Sequence, residues 1–141
     1  MARIFGISLL AFFVFSTLYS EEPGTYQFLG THFLASYCDC DQKALTDVEA
    51  LAEVMRLAVN LSGAKVLESI SWVFPPNGFT MLFLLSESHA SIHTYPEQGH
   101  CFVDLFTCGE HCSASRFDAA LRSYLKPKRV NEKLLVRNEE M

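Results

Sequence analysis

No basic run long enough to neutralise a phosphate backbone occurs in this chain, and 11 Lys+Arg stand against 16 Asp+Glu for a formal charge of −5. Nucleic acid is thereby excluded as a first-choice partner. Charged residues are scarce at 19% while hydrophobic residues reach 50%, so the bulk of the chain is neither disordered nor short of core material. Internal repeats and low-complexity tracts are absent, and 141 residues are too few for two independent cores, which rules out multi-domain readings. The five cysteines lack the paired C-x-x-C spacing of a zinc site: neither Cys38-Asp39-Cys40 nor Cys108-x-x-x-Cys112 beside His111 has it, and no metal is expected. An odd count leaves at least one thiol free unless two chains are bridged.

Nor does any apolar run reach the about 20 residues of a comfortable membrane span. Arg3 is followed by an apolar stretch from Ile4 to Phe15, then by Ser16, Thr17 and Ser20 and the acidic pair Glu21-Glu22. A positive start, an apolar middle and small residues near a polar exit form the pattern of an export signal, the alternative being an apolar helix or anchor. Residues 1–22 are therefore set apart from a single domain over 23–141.

Within that domain the periodicities alternate between strand and helix. Tyr26 to Tyr37 reads as extended. Asp41 or Thr46 can cap a helix, Thr46 with Glu49 three residues on as in a capping box. Leu45, Val48, Leu51, Ala52, Met55, Ala58 and Val59 then make one apolar face, and Ser62-Gly63 ends it. Val66 to Phe74, the turn Pro75-Pro76-Asn77-Gly78 and Phe79 to Leu85 predict a hairpin. Ser91 to Tyr95 and Cys101 to Cys108 predict two more strands about the turn Pro96–Gly99, Ser115 to Leu125 a second helix, and Arg129 to Val136 a last strand. The order β-α-β-β-β-β-α-β points to an α+β, two-layer sandwich, with a largely antiparallel sheet and helices on one face.

Chemistry is concentrated in Leu85-Ser86-Glu87-Ser88-His89-Ala90-Ser91-Ile92-His93-Thr94-Tyr95-Pro96-Glu97 and in Val103-Asp104-Leu105-Phe106-Thr107-Cys108-Gly109. Hydroxyls, imidazoles, a carboxylate and a thiol stand where a core would ask for Val and Ile. The segment offers a nucleophilic hydroxyl at Ser88 or Ser91, imidazole bases at His89 and His93, and a thiol at Cys108. On an extended strand His89, Ser91 and His93 share one face, with Ser88 and Ile92 on the other. Taken alone, such residues on an edge strand are equally compatible with a solvated surface.

The string Ser-Glu-Ser-His-x-Ser-Ile-His-Thr-aromatic-Pro-Glu, with Asp104-Leu105-Phe106-Thr107-Cys108-Gly109 after it and Leu29-Gly30-Thr31-His32 before it, resembles the bacterial and archaeal S-adenosylmethionine decarboxylase proenzymes. The resemblance implies that Ser88 attacks the carbonyl of Glu87 and that the chain splits between them into residues 1–87 and 88–141, leaving a covalent pyruvoyl group derived from Ser88. Ordinary side chains provide no electrophilic carbonyl able to condense with an amine, so one must be made. It further implies that His93 is the processing base, that Cys108 is the proton donor after carbon dioxide leaves, and that Thr80 assists processing. Phe74 and Tyr95 would stack the adenine and Glu97 would hold the ribose hydroxyls, Tyr95 standing where the family has tryptophan.

The resemblance implies decarboxylation of S-adenosylmethionine, supplying the aminopropyl donor for spermidine biosynthesis, in a homodimer of αβ units, each the cleaved pair of residues 88–141 (α) and 1–87 (β), whose sites both protomers line. Two alternatives stay open: the same chemistry on arginine or ornithine, and a non-enzymatic secreted module. The family resemblance implies a cytoplasmic protein, whereas the apolar N-terminus implies an exported or membrane-associated one.

Overall fold

The structure, a computed structural model, describes residues 28–139. The signal-like stretch 1–22 and Tyr26 lie outside the described residues. The elements are β1 (Gly30–Cys38), α1 (Gln42–Thr46), α2 (Val48–Ser62), β2 (Val66–Phe74), β3 (Gly78–Leu85), β4 (Ser88–Tyr95), β5 (His100–Thr107), α3 (Ala114–Leu125) and β6 (Arg129–Arg137). The six strands form one sheet in the order β2-β3-β4-β5-β1-β6, and every neighbouring pair is antiparallel. This is the α+β sandwich that the element order implied.

Strand alternation builds the core. Phe33, Ala35 and Tyr37 of β1, Phe79, Met81, Phe83 and Leu85 of β3, Ala90 and Ile92 of β4, and Cys101, Val103 and Leu105 of β5 are all buried. They pack against Leu51, Met55, Ala58 and Val59 of α2 and Phe117, Leu121 and Leu125 of α3. Each fully buried Leu or Phe contributes about 1.5–3 kcal/mol. The Tyr37 hydroxyl enters this core and donates to Asp118 Oδ1 at 2.5 Å. Asp118 also holds Arg122 at 2.7 Å, and Arg122 pairs with Glu132 of β6, so one polar chain fastens α3 to two strands. Burial, reinforced by the Asp118 carboxylate, pushes the Tyr37 phenol far above its usual range.

Local chemistry differs from the sequence expectation in three places. The helix expected as one piece is two, because Asp47 interrupts it: Asp41 caps α1 by accepting from the Ala44 N–H, and Asp47 caps α2 by accepting from the Ala50 N–H. Thr46 is not a cap, and its hydroxyl instead donates to Gln42 and Lys43 carbonyls at the end of α1. The second helix opens on Ser113 rather than Ser115, with the Ser113 Oγ accepting from the Arg116 N–H. Strand β4 begins at Ser88, three residues before the β-rich composition does, because hairpin pairing to β3 extends it. All five cysteines are free thiols.

Candidate active site

The β3–β4 connection is a two-residue turn, Ser86-Glu87, with Leu85 paired to Ser88. Ser88 therefore closes the tightest hairpin of the sheet, and its φ of 145° lies in a region that costs a non-glycine residue about 1–3 kcal/mol. The Ser88 Oγ is 3.6 Å from Cys108 Sγ. The Cys108 backbone N–H donates to the Glu87 carbonyl oxygen at 2.9 Å, which polarises the carbonyl directly preceding the Ser88 nitrogen.

The surrounding backbone holds this corner closed. The Lys65 N–H donates to Glu87 Oε2 at 2.9 Å, and the Ser86 N–H donates to the Lys65 carbonyl at 3.0 Å. Burial pushes the Glu87 carboxyl up, but hydrogen bonds from Ser86 and Lys65 and the Lys65 charge outweigh it, leaving the group below its ordinary value. Gly109 is required by space, since a Cβ there would lie 2.8 Å from Glu87 Cγ.

The other expected site residues gather at the opposite end of β4. Phe74, Thr80, His93, Tyr95 and Glu97 line one cleft of about 410 Å³, closed on one side by Pro75, Pro76 and Gly78. The Thr80 Oγ1 is 3.1 Å from His93 Nδ1, a contact set by the β3–β4 register that pairs these residues. Phe74 and Tyr95 are half exposed at its mouth, and the Tyr95 ring meets Phe102 edge-on at 5.6 Å. Ser88 and His93 are thus not brought together within one chain. Five residues of extended strand separate them by about 16 Å.

Between the two ends, the face of the sheet away from the helices carries a polar network. Ser91, half-way along β4, pairs with Asp104 of β5, and its Oγ donates to Asp104 Oδ2 at 2.5 Å and lies 3.4 Å from His93 Nε2. Asp104 Oδ1 faces His32 Nε2 at 3.7 Å and His89 Nε2 at 3.8 Å, and the Phe106 ring packs 5.4 and 5.6 Å from the two imidazoles. His32 Nε2 is buried without a hydrogen-bond partner. Among the described residues, the potential ligand atoms of His32, His89 and Asp104 lie within 4.8 Å of one another.

Sequence reasoning placed His89, Ser91 and His93 on one face, as the structure has them, but left Asp104 and His32 without roles. The available signal was an acidic residue in the middle of an otherwise apolar alternating strand, Phe102-Val103-Asp104-Leu105-Phe106.

Comparison with known proteins bears on this geometry. A sequence model of S-adenosylmethionine decarboxylase matches residues 31–138. An S-adenosylmethionine decarboxylase proenzyme of Methanococcus aeolicus is 39% identical over 103 residues, which span 73% of this chain and 88% of that one. The proenzyme of Parasynechococcus marenigrum is 42% identical over 101 residues, covering 72% of this chain and 79% of the relative. The crystal structure of the adenosylmethionine decarboxylase from Aquifex aeolicus superposes with a TM-score of 0.73 at 35% identity, over 79% of this chain and 92% of that one. These relatives support neither the arginine or ornithine alternative nor the secreted module. With the matched region spanning all six strands and both clusters, the chain belongs to the S-adenosylmethionine decarboxylase family.

Proposed function

We propose that this chain is a proenzyme that cleaves itself between Glu87 and Ser88 and then decarboxylates S-adenosylmethionine, providing the aminopropyl donor for spermidine biosynthesis. The observation that carries the reading is the Ser88 corner: a hydroxyl on a strained residue, adjacent to a carbonyl already hydrogen-bonded by the Cys108 N–H. The Ser88 Oγ attacks the Glu87 carbonyl carbon, the negative charge develops on the oxygen that Cys108 N–H holds, and the C–N bond breaks to leave an ester. His93 then removes the Ser88 Cα proton, a Cα=Cβ double bond forms and the Ser88 Cβ–Oγ bond breaks, so that Oγ leaves with Glu87 as its new C-terminal carboxylate. Water hydrolyses the remaining dehydroalanine with loss of ammonia, which leaves a pyruvoyl group on the chain starting at residue 88. Once formed at residue 88, the pyruvoyl group would supply the electrophilic carbonyl that ordinary side chains lack, for the substrate amine and for the electrons left as carbon dioxide departs. Cys108 returns a proton to the substrate carbon, a role supported by its thiol lying 3.6 Å from Ser88 Oγ. Phe74 and Tyr95 offer ring faces for the adenine, Glu97 a carboxylate for the ribose, and Thr80 a hydroxyl against the His93 ring.

The about 16 Å between Ser88 and His93 along β4 supports a shared site in which the His93 serving one Ser88 comes from a second copy. A two-fold arrangement of two open sheet faces lays the Ser88 end of one β4 against the His93 end of the other. The apolar residues exposed on that face, among them Ile70, Trp72, Leu82, Leu84 and Phe102, are what such a contact would cover.

Intact-mass analysis tests the cleavage: two chains, the smaller beginning with a blocked residue 88, are expected, and a permanently single chain overturns the reading. Turnover is assayed as carbon dioxide released from S-adenosylmethionine, arginine and ornithine in parallel, with only the first expected to react. Co-expressing Ser88→Ala with His93→Ala tests the shared site. Neither variant alone should cleave, but the mixed dimer pairs an intact Ser88 with an intact His93 and should cleave the His93→Ala chain. No cleavage in the mixture overturns the two-chain site.

A further inference from the structure

We infer that Asp104, acting through Ser91, is a positioning residue that fixes the proton of His93 on Nε2 and leaves Nδ1, on the Thr80 side, as the basic nitrogen. The inference rests on the reading of His93 as the processing base. It follows from counting donors. An ionised carboxylate only accepts, and a serine hydroxyl has one proton to give. Asp104 Oδ2, at 2.5 Å, takes the Ser91 proton, so the Ser91 Oγ has only lone pairs to offer His93 Nε2 at 3.4 Å. That contact is a hydrogen bond only if Nε2 carries the proton. A neutral imidazole has one N–H, hence Nδ1 bears the lone pair and accepts from the Thr80 hydroxyl at 3.1 Å.

The environment makes the choice effective. Ser91 is only 5% exposed, so its hydrogen bonds are not exchanged freely with water and are stronger for it. His32 and His89 stand on the other carboxylate oxygen, Oδ1, which leaves Oδ2 to Ser91. The β4–β5 register supplies the pairing of Ser91 with Asp104, and the β3–β4 register that of His93 with Thr80, so the ring is held between two fixed partners. A base whose lone pair points the wrong way contributes little even when its basicity is right.

The tautomer is read directly in the full-length Ser88→Ala precursor, which keeps the network without cleaving. Long-range 1H–15N correlation of 15N-histidine protein, with His93→Ala to assign the signal, should show His93 protonated on Nε2. Ser91→Ala and Asp104→Asn should each move it toward a mixture of both tautomers. With Ser88 restored, both substitutions should slow self-cleavage about tenfold or more, whereas Ser91→Thr, which keeps the hydroxyl, should cleave at the parental rate. A His93 protonated on Nδ1 in the Ser88→Ala precursor overturns the inference, and that result does not depend on whether the Ser91 or Asp104 variants fold. Parental cleavage rates in both Ser91→Ala and Asp104→Asn overturn it as well. Parental cleavage in His93→Ala overturns instead the reading of His93 as the base, a distinct result that the tautomer measurement cannot produce.

Discussion

The two faces of the sheet are made by the same strands and have opposite fates. Alternate residues of β4 send Ala90 and Ile92 into contact with the helices, where both are fully buried, and His89, Ser91 and His93 to the other side. The covered face is largely apolar, and its polar intrusions are answered: Tyr37 donates to Asp118, and the Thr94 hydroxyl oxygen accepts from the Phe79 N–H. The open face mixes exposed Ile70, Trp72, Leu82, Leu84 and Phe102 with a buried imidazole nitrogen at His32 that makes no hydrogen bond. Stability is therefore expected to reside on one face and processing, catalysis and association on the other, and substitutions on each can separate these properties.

The largest effect is expected on the covered face. Phe117→Ala empties a fully buried site and should cost about 3–5 kcal/mol, measured by urea unfolding of the Ser88→Ala precursor. A loss below about 1 kcal/mol would mean that the helices contribute less than the packing implies. Cys108→Ala, at the rim of the open face, should leave stability and cleavage near the parental level, because its backbone N–H to Glu87 is retained. Its turnover should fall about 10²-fold, checked by carbon dioxide release from the processed enzyme, with transamination of the pyruvoyl group as the side reaction to monitor. Parental turnover would make the thiol structural.

A smaller effect is expected from Ile70→Glu on the open face. Ile70 is 70% exposed, so the fold should lose under about 0.5 kcal/mol, whereas sedimentation should show association weakened by about tenfold or more through the buried charge. Equal association in the parent and the variant would remove this face from the interface.

The smallest effect belongs to Glu87, whose carboxyl is held below its ordinary value. A depressed folded value adds stability that is present above the unfolded value and lost as pH falls through the folded one. Glu87→Gln in the precursor should thus cost under about 0.5 kcal/mol at neutral pH, since the group is largely solvated, and the difference should vanish in acid. A difference that persisted in acid would place the effect in packing rather than charge.

Much of the fold was legible in the sequence because its signals are local. The three- and four-residue spacing from Leu51 to Val59, the alternation of Val66 to Phe74 and the Pro75–Gly78 turn each report a nearby geometry. Where a local signal is ambiguous, the structure departs from it. The apolar face runs unbroken across Asp47, so periodicity joined α1 to α2, and only cap geometry separates them. The polar Ser88-His89 pair hid the start of β4 because that strand is held there by pairing rather than by β-branched residues.

The candidate site divides in the same way. Its residue types, its Glu87-Ser88 pair and the shared face of His89, Ser91 and His93 were determined by the sequence itself, through motif and the two-residue period of a strand. Tertiary structure alone decided who meets whom. Cross-strand register brought Asp104 to Ser91, and the packing of the β5 end against the β3–β4 hairpin set the Cys108 N–H on the Glu87 carbonyl. The rise of an extended strand carried His93 away from Ser88. The reason is physical: side-chain periodicity is set by backbone geometry over a few residues, whereas the alignment of strands distant in sequence is set by loop lengths and by the burial of the whole face at once.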